Sequence, residues 1–230
     1  GTPQSIVAGP DGNLWFVTLA AGPDRIGRIT PAGVVTFFDD TDFLGVNDIA
    51  IGPDGHVWFT NRTGNTVGEI NPVAGNQAAI EASIEVHATG VAGAARPHSI
   101  IAGPDGKVWF TLDTNGASGD DDYVIEMTTA GVTTGTRYQS NLIKQPADIV
   151  AGPDGNLWFT SLANDVVGKI TTAGSIATFG DAAHIDAPQG ITVGPDNALW
   201  VTSLSNDKIA RVTTAGGISS FTNAQINSPQ

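Results

Sequence analysis

The stretch GPDGNLWFT at residues 152–160 decides the fold of this chain. Proline presets the backbone for the first turn position, aspartate tolerates the second, and the final glycine adopts a positive φ. The apolar and aromatic residues that follow are typical of a β-strand. The stretch therefore predicts a tight hairpin turn that leads into a strand.

Close copies of this stretch recur along the whole chain, roughly every 45 residues. A second shared segment follows each of them, as in the sequence VGKI at 167–170, and four copies then turn on Ala-Gly. Each repeat is therefore predicted to be an antiparallel meander of four strands. All 5 tryptophans of the chain occupy the same place in the repeat: Trp15, Trp58, Trp109, Trp158 and Trp200.

A single repeat of this kind cannot cover both faces of its sheet, so the copies are expected to stack around an axis. Tryptophan suits the gap between such blades because it buries a large apolar area. The prediction is an all-β chain: one β-propeller domain, 1–230, of four-stranded antiparallel blades. The five repeats cover 1–44, 45–95, 96–145, 146–187 and 188–230, with loop insertions at 76–91 and 113–122.

Two arrangements of these repeats remain open. The first is a closed, monomeric five-bladed ring. The alternative is a part of a larger propeller, a structural fragment or an engineered set of blades, which is expected to self-associate.

The composition narrows the classes of partner. The chain has 10 Lys and Arg against 23 Asp and Glu, a net charge of −13, which repels phosphate backbones and anionic lipids. We expect no nucleic-acid partner and no membrane partner, and no apolar run is long enough to span a bilayer. The chain is expected to be soluble, and a secreted or periplasmic location is favoured over a cytoplasmic one.

The turn, the Trp-Phe-Thr strand and the following VGKI and Ala-Gly segments together resemble the virginiamycin B lyase (streptogramin lyase) family, over essentially the whole chain. The resemblance implies a seven-bladed propeller and a metal-assisted elimination that opens the streptogramin B ring with Mg²⁺. The repeat is shared by many members without demonstrated lyase activity, so it indicates the fold more than the chemistry. This chain differs from the family in having five repeats.

Ligands of propellers usually bind near one end of the central channel, beside the starts of the first strands and the ends of the second. Lyase-like members often have Pro-His-Gly-Ile at the first of these positions, and only Pro97-His98-Ser99-Ile100 resembles it. The second position is commonly glutamate in such members, whereas this chain has amides and hydroxyls, which suit a hard divalent cation less well than carboxylates. The predicted channel mouth contains Gln4, Asn47, His98, Gln189, Asn61, Ser161 and Ser203.

Two functions follow from these residues. The first is a binding or interaction scaffold that takes a small molecule, a glycan or a protein at the channel mouth, without support for catalysis. The alternative is a divergent metal-assisted lyase or hydrolase of a cyclic ester such as streptogramin B. In that case His98 is the candidate catalytic base and Mg²⁺ the expected cofactor.

The remaining polar clusters give weaker signals. A glycine-containing acidic loop offers oxygen ligands for Ca²⁺ at Asp113, Asn115, Asp120 and Asp122, although it lacks the spacing of an EF-hand, and a flexible acidic loop is the preferred interpretation. His56 and His87 are interpreted as solvated. The aspartates of the repeated turn are interpreted as turn formers.

Overall fold

The computed structural model describes residues 1–19, 24–93, 95–114, 122–227 and 229. Two of the predicted metal ligands, Asn115 and Asp120, lie outside these residues. Within the described part of the chain, none of the helices has the length and hydropathy needed to cross a bilayer.

The strands form five antiparallel sheets of four strands each, and in every sheet the strands lie side by side in chain order. We call these sheets blades 1 to 5. Blades 1 and 2 consist of β1 (Thr2–Ala8), β2 (Leu14–Leu19), β3 (Arg25–Ile29) and β4 (Val35–Phe38), and of β5 (Val46–Ile51), β6 (Val57–Asn61), β7 (Thr66–Ile70) and β8 (Glu85–Ala88). Blade 3 consists of β9 (Arg96–Ala102), β10 (Val108–Asp113), β11 (Tyr123–Met127) and β12 (Thr133–Gln139). Blades 4 and 5 consist of β13 (Pro146–Ala151), β14 (Leu157–Ser161), β15 (Val166–Ile170) and β16 (Ile176–Phe179), and of β17 (Pro188–Val193), β18 (Leu199–Ser203), β19 (Lys208–Val212) and β20 (Ile218–Phe221). The predicted four-stranded antiparallel blades are confirmed.

One predicted loop contains regular structure. The insertion at 76–91 holds a short helix, α1 (Gln77–Glu81), and the fourth strand of blade 2. The Asn76 side chain caps the helix by accepting a hydrogen bond from the Ala79 amide at 3.1 Å, as a helix N-cap does. A single turn of 3-10 helix, Leu162–Asn164, also follows β14.

The chain divides into two compact units. The first comprises Gly1–Ala102, Gly106–Phe110 and Ile125–Thr136, and the second Gly103–Asp105, Thr111–Val124 and Arg137–Gln230. Blades 1 and 2 belong to the first unit and blades 4 and 5 to the second, while blade 3 contributes to both. The single closed ring stays a prediction.

Within each unit, the tryptophans pack between consecutive blades. Trp15 of blade 1 shares a buried cluster with Val46 and Ile49 of blade 2, and Trp158 of blade 4 shares one with Ile191 and Leu199 of blade 5. A sheet that buries such residues on its faces gains stability only when a neighbour covers them.

The buried indoles obtain their hydrogen bonds from the repeated turn. The Trp158 side chain is fully buried, and its Nε1–H donates to Asp154 Oδ1 at 2.9 Å. The same bond, four residues apart, has lengths of 3.1, 3.2 and 3.0 Å in blades 1, 2 and 5. The turn aspartates therefore also satisfy a donor that burial removes from water, a role that the sequence did not indicate.

Two glycines of the repeated turn allow it to pack against the indole. A Cβ at Gly152 would lie 2.3 Å from Trp158 Cδ1, so a side chain there would displace the indole. Gly155 has a φ of 74°, which glycine adopts without strain. Asn197 takes the same place in blade 5 at a φ of 55°, as asparagine tolerates.

In blades 1 and 4, a second aromatic ring and a cation also contact the indole. Phe179 stacks on Trp158 with centroids 5.3 Å apart, and Lys169 Nζ lies 5.2 Å from the Trp158 centroid. Lys169 also lies 3.7 Å from Asp154 Oδ2. These four residues, the turn aspartate, the tryptophan, the cation of the third strand and the stacked ring, are called the tryptophan site below. In blade 1 the tryptophan site consists of Asp11, Trp15, Arg28 and Phe38.

We predict that Asp154→Ala lowers the free energy of unfolding by about 1–3 kcal/mol at pH 7, because it leaves a buried N–H without its acceptor. Burial raises the pKa of Asp154, but hydrogen bonds from Trp158 and Asn156 and the charge of Lys169 lower it by more. A carboxylate with a lowered folded pKa stabilises above its unfolded pKa of about 3.9 and loses that contribution as the pH falls through the folded value.

Urea unfolding of both proteins between pH 7 and pH 3 measures this dependence. The difference in the free energy of unfolding between wild type and Asp154→Ala is expected to become smaller as the pH falls towards 3. Asp42→Ala, which removes an exposed carboxylate, is the control and is expected to leave stability within about 0.5 kcal/mol. A difference in the free energy of unfolding that stays constant with pH would contradict the stabilising role of the Asp154 carboxylate.

Candidate functional site

The first strand of each of blades 1, 2, 4 and 5 has a bulge close to its start. In β5 the pairing with β6 shifts register between Val46 and Ile49. A bulge removes residues from the regular ladder and turns their side chains in new directions. The residues in these bulges include three of the predicted channel residues, Gln4, Asn47 and Gln189.

In blades 2 and 4, a threonine of the second strand connects the bulge to the next blade. Thr60 Oγ1 accepts from the Asp48 amide at 3.0 Å and donates to the His98 carbonyl of blade 3 at 3.1 Å. In the second unit, Thr160 accepts from the Asp148 amide at 3.0 Å and donates to the Gln189 carbonyl at 2.7 Å. The hydroxyl thus satisfies the amide that the bulge frees and holds the neighbouring first strand.

The Asp48 carboxylate joins the first strands of three blades. Its Oδ1 accepts from Ser5 Oγ of blade 1 at 2.7 Å. Its Oδ2 accepts from Ser99 Oγ at 2.8 Å and from the Ile100 amide at 3.0 Å, both in blade 3. Hydrogen bonds to an ionised group are stronger than neutral ones, so this carboxylate fixes the spacing of the three strands.

Asp148 repeats part of this arrangement in the second unit. Its Oδ2 accepts from the Ile191 amide of blade 5 at 2.9 Å, and its Oδ1 accepts from its own neighbour, the Ile149 amide, at 2.8 Å. Sequence reasoning missed both aspartates. The available signal was an aspartate directly before the first-strand isoleucine in two of the five repeats.

The bonds of Asp48 bring three predicted site residues to one place. Gln4, Asn47 and His98 each directly precede a residue of this network, Ser5, Asp48 and Ser99. Gln4 is exposed, while Asn47 and His98 are half-buried. Asn47 Nδ2 donates to the His98 carbonyl at 2.8 Å. These three residues belong to the first unit, whereas Gln189, which is half-buried, lies in the second.

The predicted residues at the ends of the second strands have partners in the loops that lead into the first strands of their blades. Asn61, Ser161 and Ser203 are fully buried. Ser161 Oγ donates to the Lys144 carbonyl at 2.9 Å and accepts from the Lys144 amide at 2.8 Å. Ser203 forms the same pair with Asp186, and Asn61 accepts from the Leu44 amide. All three side chains secure the loop before the first strand, and we leave them out of the proposed site.

The predicted calcium loop is described only in part. Asp122 is buried; it accepts from the Thr114 amide at 2.9 Å and the Gln145 amide at 2.6 Å, so its carboxylate orders the backbone on both sides. Asp113 is half-buried. The metal-binding role of this loop stays a prediction.

Among the described residues, the groups of three or more potential metal ligands centre on Glu69 of blade 2, and neither group includes His98. The surroundings of His98 supply amide and hydroxyl groups together with Asp48, whose two oxygens accept three hydrogen bonds. Mg²⁺ prefers carboxylate oxygens, and among the described residues His98 does not lie in a group with two further carboxylate or imidazole ligands. The residues around His98 therefore do not form the ligand group for the Mg²⁺ that the family resemblance implies.

We predict that Asp48→Asn lowers the free energy of unfolding by about 1.5–3 kcal/mol, because the amide cannot accept all three bonds and lacks the charge. In a double-mutant cycle, Ser5→Ala is expected to lose more stability in the wild-type background than in Asp48→Asn, with a coupling of about 1 kcal/mol. Denaturant unfolding of the four proteins checks this. Thr41→Ala, at an exposed hydroxyl of the same unit, is the control, and its effect on the free energy of unfolding is expected to add to that of Asp48→Asn. If the effects of Ser5→Ala and Asp48→Asn also add, the hydrogen-bond network of Asp48 is contradicted.

Comparison with known proteins gives the relatives of this chain. The model of the virginiamycin B lyase family matches residues 82–228. No curated protein matches the sequence significantly.

Several solved structures are similar. A catalytically inactive histidine-to-alanine variant of virginiamycin B lyase from Staphylococcus aureus, crystallised with quinupristin, is 28% identical with a TM-score of 0.80, over 98% of this chain and 71% of that one. A streptogramin B lyase is 27% identical with a TM-score of 0.78, over 98% and 70%. Hydrazine synthase from Kuenenia stuttgartiensis, 18% identical with a TM-score of 0.71 over 92% and 64%, shares the fold alone. With these matches, the prediction of a β-propeller fold class is confirmed.

Proposed function

The chain belongs to the virginiamycin B lyase family, and from this membership we propose that it is a binding propeller whose small, polar, uncharged ligand lies against the starts of the first strands of blades 1 to 3. The observation that carries the proposal is the Asp48 carboxylate, which holds these strands together through Ser5 and Ser99. A site needs its polar groups held in fixed positions before the ligand arrives.

The residues beside this network are suited to hydrogen bonding with a neutral molecule. Gln4 and Asn47 offer amide donors and acceptors, and His98 offers an imidazole. The net charge of −13 disfavours an anionic ligand. A cyclic molecule rich in amide and ester groups meets these requirements, and quinupristin, present in the crystal structure of the staphylococcal relative, is the natural probe.

Catalysis receives less support than binding from the same residues. Elimination needs a base together with a group that stabilises the charge that develops on the substrate. Asp48, the carboxylate of this network, already serves three protein donors. His98 therefore acts in this proposal as a contact to the ligand.

We predict that quinupristin binds the wild-type chain in isothermal titration calorimetry. His98→Ala and Gln4→Ala are each expected to weaken the affinity by about five-fold, the equivalent of one lost hydrogen bond of about 1 kcal/mol. Gln77→Ala, at an exposed position of α1, is the control and should leave the affinity unchanged. Absence of binding to the wild-type chain, or an affinity of both site variants equal to that of wild type, would overturn the proposal.

A second function, ring opening with His98 as the base, is favoured by one observation. The staphylococcal relative that was crystallised with quinupristin is made catalytically inactive by a histidine-to-alanine change. In this chain, His98 is the histidine of the sequence Pro-His-Ser-Ile, which resembles the Pro-His-Gly-Ile of lyase-like members.

Incubation with quinupristin separates the two functions. Elimination opens the ring without changing the mass, so the product is followed by chromatographic retention. We expect the ring to remain closed with the wild-type chain, with and without added Mg²⁺. Ring opening that His98→Ala abolishes would replace the binding function by the lyase function.

A further inference from the structure

Blade 2 reverses the charge of the tryptophan site. The residue paired with the tryptophan across the second and third strands is Arg28 in blade 1, Lys169 in blade 4 and Arg211 in blade 5. In blade 2 the residue paired with Trp58 is Glu69. A cation is thus replaced by an anion at one position of an otherwise repeated structure.

The stacked ring of blade 2 is replaced as well. At the equivalent position of the fourth strand, blade 1 has Phe38, blade 4 has Phe179 and blade 2 has His87. Each of the three pairs in the same register with the third strand of its blade. The His87 imidazole stacks on Trp58 with centroids 5.6 Å apart, as the phenyl rings do. Stacking leaves the ring edge free to present its nitrogen in a fixed direction.

Two imidazoles converge on the two oxygens of Glu69. His56 Nδ1 lies 2.5 Å from Glu69 Oε2, and His87 Nε2 lies 2.9 Å from Glu69 Oε1. The interpretation of His56 and His87 as solvated is therefore wrong: the His87 side chain is only 14% exposed, that of His56 32%, and both pair with a buried carboxylate. His56 reaches Glu69 because it directly follows the repeated turn, where blade 4 has Asn156.

Further carboxylates lie on each side of this centre. One atom each of Asp54, His56 and Glu69 lie within 4.8 Å of one another, and so do one atom each of Glu69, Glu85 and His87. The two groups share Glu69 and each contains one imidazole nitrogen. Nitrogen and carboxylate oxygen in groups of three are the ligands that open zinc sites use, with a fourth position for water.

The charge of Glu69 requires a partner because its side chain is only 7% exposed. Burial raises the pKa of Glu69, and hydrogen bonds from His87 and His56 lower it by more. Blade 3 also has a buried glutamate at this position of the repeat, Glu126, and there Lys107 neutralises it at 2.8 Å. In blade 2 the residue that follows the turn is a histidine, a metal ligand, where blade 3 has that lysine.

We propose that blade 2 carries a divalent metal site of the zinc class centred on Glu69, in which His56 and His87 are the nitrogen ligands of two alternative ligand groups, one at each Glu69 oxygen. Asp54 and Glu85 complete the ligand groups on either side. The ion takes the place of the cation that blades 1, 4 and 5 supply from their own third strands. Glu85 is exposed and His56 partly so, which opens the site to solvent.

Zinc titration of the metal-free chain, followed by calorimetry and by the thermal midpoint, tests the proposal. We expect binding and a zinc-dependent rise of the midpoint, since a ligand that binds the folded state stabilises it. Glu69→Gln, which alters both ligand groups, is expected to remove zinc binding and the rise of the midpoint. His56→Asn and His87→Phe, which introduce residues that blade 4 has at these positions, are each expected to weaken zinc binding at least ten-fold in the ligand group that contains the histidine.

The triple variant His56→Asn, Glu69→Lys, His87→Phe gives blade 2 the residues of the blade 4 tryptophan site, so it keeps a fold that the chain already uses. It is expected to unfold within a few degrees of metal-free wild type and to show no response to zinc. Glu126→Gln in blade 3 is the matched control and should keep the full zinc response. No zinc binding by wild type, or an undiminished response in Glu69→Gln or in the triple variant, would overturn the site.

Discussion

The hydrogen bond from a buried indole N–H to the aspartate four residues before it is the interaction on which blades 1, 2 and 4 depend. Burial of tryptophan between blades supplies apolar area, but it also removes an N–H donor from water. In blade 4, Asp154 restores that bond at 2.9 Å because the turn holds the carboxylate beside the N–H edge of the indole. The glycines of the turn follow from the same requirement, since Gly152 leaves space for the indole and Gly155 adopts the positive φ.

Around this fixed centre, the remaining positions of the tryptophan site differ between repeats without disturbing the blade. Blades 1 and 4 place a cation over the indole, blade 3 pairs Glu126 with Lys107, and blade 2 sets two imidazoles against Glu69. The ring that covers the indole is phenyl in one case and imidazole in the other, with nearly the same stacking distance. The same backbone geometry therefore accommodates three different sets of charged side chains, and the set in blade 2 is the one that contains potential metal ligands.

The sequence predicted the blades well because turn, strand and tryptophan are local features that recur five times. The site was less accessible, because it depends on register and on contacts between distant residues. Asp48 works through a bulge that shifts the pairing of β5, and its partners Ser5 and Ser99 lie 43 and 51 residues away. Asn61, Ser161 and Ser203 were expected to face a ligand, yet they bond to the loops that precede the first strands of their blades. His87 reaches Glu69 only through the pairing of β7 with β8, and β8 lies in the insertion at 76–91 together with a helix that the sequence did not reveal.

The bonds of Asp48 also bear on how the first unit folds during synthesis. A single repeat excised around Asp48 would keep the carboxylate and lose its donors from both neighbours. Water would then replace those donors, because the neighbouring blades that cover the carboxylate would be gone as well. The network therefore gives a single repeat no stability, and it forms only after three consecutive repeats have left the ribosome.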